Sequence, residues 1–262
     1  MQTSQADIKM KKLVISPVER TVSRKLIRQH LRDLDQEVKE YTCGEHIVFV
    51  SEMEEYVKAA YTRLKTTGPC RETVNGFLEN RMIVRHFYVP EINSLVVEEL
   101  IPNPGRIFDV VVHRISFDTG ATSRVDLHGY RVKGVRPNTA ELIVQLEQSD
   151  TPEWQWSLFD LHSGNRRPVY KGGDEFYLSA DGNLFFPVES WSRIGMVDLV
   201  TGKQLDVRNK RHFSRYATKV KILHVVHFDP EQPCLYVILM KQQELSFASL
   251  KNEVCIRLAV AD

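Results

Sequence analysis

Cysteine is sparse in this chain. Cys43, Cys70, Cys234 and Cys255 are the only four in 262 residues, and no two stand in C-x-x-C spacing. That pattern argues against a disulfide framework or a zinc ribbon and for buried free thiols in a reducing compartment. No apolar run approaches the roughly 20 residues that span a bilayer. The opening "MQTSQADIKMKKLVISP" is basic but lacks the apolar stretch of a signal peptide, so a cytoplasmic or nuclear location is expected. The net charge of +1 provides no global attraction to nucleic acid or anionic membrane.

Catalytic signatures are missing as well. H-E-x-x-H, G-x-S-x-G, a P-loop and G-x-G-x-x-G are all absent. His224 and His227 would face opposite sides of a strand, and His46, His86, His113, His128, His162 and His212 stand alone in sequence. Glu98-Glu99 and Glu54-Glu55 are adjacent pairs, which also face apart on a strand. The expectation is a non-enzymatic protein without cofactor or metal site.

What is present begins with a helical pattern. Over residues 16–41, Ser16 suits an N-cap, Pro17 the first helical position and Glu19 the capping box. Val22, Leu26, Leu31, Leu34, Val38 and Tyr41 recur on one face, opposite a face charged by Arg20, Arg24, Arg28 and Arg32. "HIVFV" (46–50) reads as a strand. A second capping box at Ser51 and Glu54 predicts another helix, with Met53, Tyr56, Val57, Ala60, Tyr61 and Leu64 as its apolar stripe, ended by Gly68-Pro69. A weaker helix is predicted over 72–80, with Val74, Phe77 and Leu78 on one side. Residues 1–82 are thus expected to form an α-helical N-terminal segment, and residues 83–262 a separate domain.

After Met82 the apolar runs become short, β-branched and aromatic, with turns at regular intervals. "FYLSADGNLFF" (176–186) is one such unit, two apolar runs about a tight polar turn. Equivalent turns are anchored at Pro90, Pro137, Ala180 and Pro230, which lie 47, 43 and 50 residues apart. A second marker falls between them: Phe117-Asp118-Thr119-Gly120, Phe159-Asp160 through Ser163-Gly164, and Val197-Asp198 through Thr201-Gly202. The Asp can accept backbone N–H bonds in the turn, and the Gly tolerates positive φ. Ser249-Leu250-Lys251-Asn252 stands in the fourth interval.

A repeat of this length carrying four strands is the signature of a propeller blade. Residues 83–260 resemble degenerate β-propeller proteins of the WD40-like or quinoprotein-like kind. The carrier is "FYLSADGNLFFPVESWSRIGMVDLVTGKQLDV" (176–207), close to the blade text S-x-D-G-x-L followed by D-x-x-T-G-K. The Gly-His pair and Trp-Asp dipeptide of WD40 repeats are missing. The fold class expected is mainly β with a helical N-terminal segment and about four propeller-like blades. The set could be incomplete, with "KLVIS" (12–16) or "HIVFV" completing a blade, and a β-sandwich is the alternative.

One stretch is unusually basic. Arg208, Lys210, Arg211, Arg215, Lys219 and Lys221 occur with no acid between Asp206 and Asp229, and Phe213 and Tyr216 are interleaved. Cations neutralise phosphates and aromatics stack on bases, so 208–221 is the candidate anion- or partner-binding segment, with nucleic acid or phosphoinositide as ligand. Its plain alternative is a solvated inter-blade loop. The resemblance implies a protein-interaction scaffold with one or more protein partners. The rivals are that anion binder and a propeller hydrolase with carboxylates converging in a central channel.

Overall fold

The computed structural model describes residues 12–17, 25, 28, 39–56, 59–103, 106–146, 154–173, 175–179, 181–189, 193–205, 222–229, 234–240 and 254–261. They fall in two compact units, Glu37–Gly172, and Met1–Gln36 with Gly173–Asp262. The expected boundary after residue 82 lies inside the first of these.

The unit Glu37–Gly172 opens with strands β2 (Glu40–Cys43), β3 (His46–Val50) and β6 (Leu64–Thr66), paired antiparallel in that order, with a hairpin of β4 (Glu54–Tyr56) and β5 (Ala59–Tyr61) between the last two. Helix α1 (Arg71–Leu78) follows, within a residue or two of the span predicted, and buries Val74 and Leu78. Two four-stranded antiparallel meanders come next: β7 (Met82–Val89), β8 (Ser94–Asn103), β9 (Arg106–Ser116) and β10 (Thr122–Val125), then β11 (Tyr130–Val135), β12 (Glu141–Leu146), β13 (Gln155–Asp160) and β14 (Arg166–Lys171). Side chains alternate across a strand, and here both faces of the middle sheet are covered. Leu95 and Val97 on β8 join Val48, Leu64 and Val74 of the opening sheet and helix. Val96, between them, joins Val132, Leu142 and Val144 of the following sheet. That is why "SLVVEEL" (94–100) is buried throughout rather than at alternate residues.

The other unit holds β15 (Glu175–Leu178), β16 (Leu184–Glu189), β18 (Met196–Asp198) and β19 (Gln204–Leu205) in that order, with β17 (Arg193–Ile194) also on β16. Its second sheet is β20 (Ile222–Asp229), β21 (Cys234–Met240), β22 (Val254–Ala261) and, as outer strand, β1 (Lys12–Pro17). β1 runs antiparallel to β22 from Lys12↔Ala261 to Pro17↔Ile256, so the start of the chain completes the sheet made by its end. Of the two strands expected to complete a blade, "KLVIS" does so, and "HIVFV" belongs to a sheet of its own.

The helical N-terminal segment requires correction where residues are described, Val22, Leu26, Leu31, Leu34 and Val38 lying outside them. Ser16 and Pro17 end β1 instead of starting a helix. Pro has no N–H to give a ladder, which an outer strand tolerates. Lys25 and Arg28 are helical and exposed, whereas Tyr41 lies in β2. Where a helix is expected over 51–64, the described residues form the strands β4 and β5 and the start of β6. Its capping-box residues are engaged across the β4–β5 hairpin: Ser51 Oγ accepts the Arg63 N–H (2.9 Å), and Glu54 accepts Tyr61 Oη–H (2.5 Å) and Arg63 Nε–H (3.2 Å). Three bonds to residues seven to twelve positions away outweigh one local cap.

The two turn markers prove to be physically coupled. In each of three sheets the turn after the first strand and the turn after the third lie at the same end and share a hydrogen bond: Phe117 N–H to Asn93 O (2.9 Å), Leu161 N–H to Ala140 O (3.0 Å) and Leu199 N–H to Asn183 O (2.8 Å). Gly164 and Gly202 both have φ +72, as a tight hairpin there demands. Asp160 Oδ1 accepts from His162 and Ser163 N–H (2.7 and 2.8 Å), and Asp198 Oδ1 from Val200 and Thr201 N–H (2.9 and 3.1 Å). In the first sheet the register differs from expectation. Ser116, not Asp118, makes the backbone bonds that Asp160 and Asp198 make, and Asp118 accepts the Asn93 amide instead (2.6 Å). Ser249-Leu250-Lys251-Asn252 lies outside the described residues, between β21 and β22.

Candidate functional site

The opening sheet of the unit Glu37–Gly172 differs from its neighbours. It has three strands where they have four, and α1 stands where a fourth strand would pair. On β3, His46, Val48 and Val50 face the core side, and Val48 is fully buried. The intervening Ile47 and Phe49 face away and are both 39% exposed, with Met53 and Tyr56 following at 68% and 47%. Tyr56 packs edge-on against Phe108, and Lys65 on β6 sits opposite Phe49.

Along the outer edge of β6 the backbone alternates. Arg63 O accepts from Ser51 N–H (3.0 Å) and Thr67 N–H donates to Ile47 O (2.9 Å), so the odd-numbered residues bond inward towards β3. The even-numbered residues turn outward. Thr62 exchanges both backbone bonds with Ile83 (2.7 and 3.0 Å). The Asn75 side chain of α1 accepts from Thr66 N–H (2.7 Å) and donates to Thr66 O (2.9 Å). Between strand and helix runs a groove of about 790 Å³, lined by Phe49, Leu64, Lys65, Glu72, Gly76 and Glu79 among others.

Several titratable groups that stand alone in sequence have partners. Tyr41 and His86 link β2 to β7, Oη to Nδ1, at 2.8 Å. Burial lowers the His86 pKa and raises that of Tyr41, so the phenol keeps its proton and donates it to a neutral ring. Burial also pushes the Cys43 thiol up to about 12. Glu98 and Glu99 do face apart. Glu98, fully buried, accepts Val132 N–H (2.7 Å) and pairs with Arg85 (3.3 Å) and Arg131 (3.4 Å), joining three strands across two sheets. Glu99 is bound by Arg81 and by His113 Nε2 (3.0 Å). Burial lowers the His113 pKa despite that carboxylate. Arg166 and Arg167 lie on β14, Arg166 over the Tyr130 ring and Arg167 against Glu141 (3.7 Å).

Arg208, Lys210, Arg211, Phe213, Arg215, Tyr216, Lys219 and Lys221 lie outside the described residues. The apolar face and groove at β3, β6 and α1 are hidden in the sequence because residues 51–64 satisfy a helical spacing. The available signal is the alternation in "HIVFV", which must turn Ile47 and Phe49 to the face opposite Val48.

No protein-family model matches the sequence, and none of the curated proteins matches it significantly. Solved structures do. An oligogalacturonate lyase in complex with manganese aligns at a TM-score of 0.53 and 12% identity, covering 83% of this chain and 63% of that one. The β-propeller domain of the trilobed protease from Pyrococcus furiosus aligns at 0.48 and 6% identity (63% and 51% covered), and TolB from Acinetobacter baumannii at 0.41 and 13% (82% and 53%). The chain spans less than two thirds of the length of each. The fold is mainly β and resembles a degenerate β-propeller. Among the described residues, no helix is long and apolar enough to cross a membrane.

Proposed function

We infer that this chain is a protein-interaction scaffold that meets its partner through the outward side of β3 and the segment that follows it to Tyr56. One observation carries the reading. Of six exposed large apolar side chains among the described residues, four (Ile47, Phe49, Met53 and Tyr56) fall within ten consecutive residues. Scattered exposed apolar residues need no explanation, whereas a concentration of them favours an interface. The ionisable groups of the same unit support it, because Glu98, Glu99, His86 and His113 are engaged in tying strands together. At 12% identity the lyase is a guide to fold and not to chemistry.

The test is capture from native lysate by the full chain, compared with an Ile47→Ser/Met53→Ser double variant. Both positions are exposed, so the fold should hold to within about 0.5 kcal/mol per substitution. Loss of the captured partner is expected. A partner retained by the double variant overturns the reading.

A second reading rests on composition. Six cations and two aromatics in 208–221, with no acid among them, suit a polyanion such as RNA, DNA or a phosphoinositide surface. Salt-sensitive binding would favour it over the scaffold.

A further inference from the structure

We propose that the groove between β6 and α1 takes a short, basic, extended peptide segment of the partner protein, which adds one rung to the edge of β6 opposite Leu64. This deepens the scaffold reading and rests on it.

The backbone carries the argument. Thr62, Leu64 and Thr66 all present N–H and C=O off the edge of β6. The outer two are satisfied, Thr62 by Ile83 and Thr66 by the Asn75 amide. Leu64 stands between them, and its outward N–H and C=O have no hydrogen-bond partner among the described residues. Leu64 packs in the core and is at the same time one of the residues that line the groove. Backbone polar groups in a sheltered place are nearly always paired. A residue of an antiparallel segment opposite Leu64 would supply both missing bonds, as the Asn75 amide does one rung along.

The walls select the segment. Gly76 faces the groove from α1, and a Cβ built there meets nothing within 4 Å, so a second backbone can approach the helix closely. Phe49 offers an apolar surface to one side chain. Arg63 is committed to Glu54 (3.2 Å). Glu72 and Glu79 therefore face Lys65 with an excess of negative charge, which favours lysine or arginine on the incoming segment. Because Ile83 and Asn75 occupy the neighbouring rungs, main-chain pairing is confined to one residue, and specificity falls to the side chains flanking it.

The experiment selects phage-displayed random heptapeptides on the full chain and on its Gly76→Trp variant. Gly76 has ordinary helical φ and open space, so tryptophan should leave the fold intact while filling the groove. Enrichment of peptides with basic residues flanking a β-branched or aromatic one is expected, with binding at least tenfold weaker to Gly76→Trp. Glu72→Gln/Glu79→Gln, a second variant that leaves the groove open, should weaken binding at least threefold. Hydrogen exchange at the Leu64 amide should slow when peptide binds. Peptides that bind Gly76→Trp equally, peptides that leave Leu64 exchange unchanged, or no selected peptide at all would overturn the proposal. The scaffold reading fails separately: partner capture lost in Ile47→Ser/Met53→Ser but kept in Gly76→Trp sinks the groove alone, and capture kept in both sinks the two together.

Discussion

The side-chain amide of Asn75 makes both backbone hydrogen bonds of Thr66, accepting from its N–H at 2.7 Å and donating to its C=O at 2.9 Å. One helical side chain thereby occupies the place of a fourth strand, and edge groups that would otherwise be free to pair elsewhere are closed at that rung.

Asn75→Ala should destabilise the protein by about 1–3 kcal/mol, because two sheltered backbone groups lose their partner. Denaturant unfolding at equilibrium would measure it. Asn75→Asp keeps the acceptor and loses the donor, so it should fall between wild type and Ala.

Gly164→Val and Gly202→Val should each cost roughly 1 kcal/mol or more, since a β-branched residue is strained in the left-handed region. Nothing lies within 4 Å of a Cβ at either position, so the cost is backbone strain alone. Asn at the same sites should cost less. Equal melting temperatures for Val and Gly would refute the turn assignment.

Glu98→Ala should be more disruptive than the Asn75 or glycine substitutions, at about 3–5 kcal/mol, because it leaves two arginines facing a buried site without their counter-charge. Glu98→Gln retains an acceptor for Val132 N–H and should recover part of the loss. Thermal melts of the three proteins side by side would decide it.

Asp160 gives a pH prediction. Backbone bonds from Ser163 and His162 hold its pKa below the ordinary 3.8. A carboxylate lowered on folding adds stability that is present above its unfolded pKa and lost as pH falls through its folded one. The stability difference between wild type and Asp160→Ala should therefore be constant at neutral pH and shrink below about pH 4, the unfolded carboxylate value. A difference that grows on acidification would contradict it.

For the basic stretch, the scaffold reading predicts no binding of RNA, DNA or phosphoinositide vesicles at about 50 mM salt, a condition under which each phosphate contact still adds nearly one unit of log–log slope. Binding abolished by changing Arg208, Lys210, Arg211 and Arg215 to Ala would put the polyanion reading in its place.

Legibility follows the range of the interactions. The hairpins at Asp160 and Asp198 are readable because the carboxylate and the amides it caps lie within three residues. The register at Asp118 is not, because Phe-Asp looks alike wherever it stands, and only the Asn93 contact separates its role from that of Ser116. Residues 51–64 satisfy a helical spacing and a capping box on paper. Their hairpin is held by Glu54, Tyr61 and Arg63 acting together, which no local pattern displays.

The sequence by itself determined the repeated sheets: short β-branched runs, turns at near-constant intervals, and two markers kept in phase because they meet at one end of three of the sheets. Tertiary structure alone decided which edges are closed. β1 reaches β22 across almost the whole length of the chain, and whether Leu64 is paired depends on Ile83 and Asn75 filling the rungs beside it. A turn's hydrogen bonds lie within a few residues and leave their trace in local composition. An edge is closed by whatever the folded chain brings alongside it, and a backbone N–H carries no mark in the sequence of what that will be.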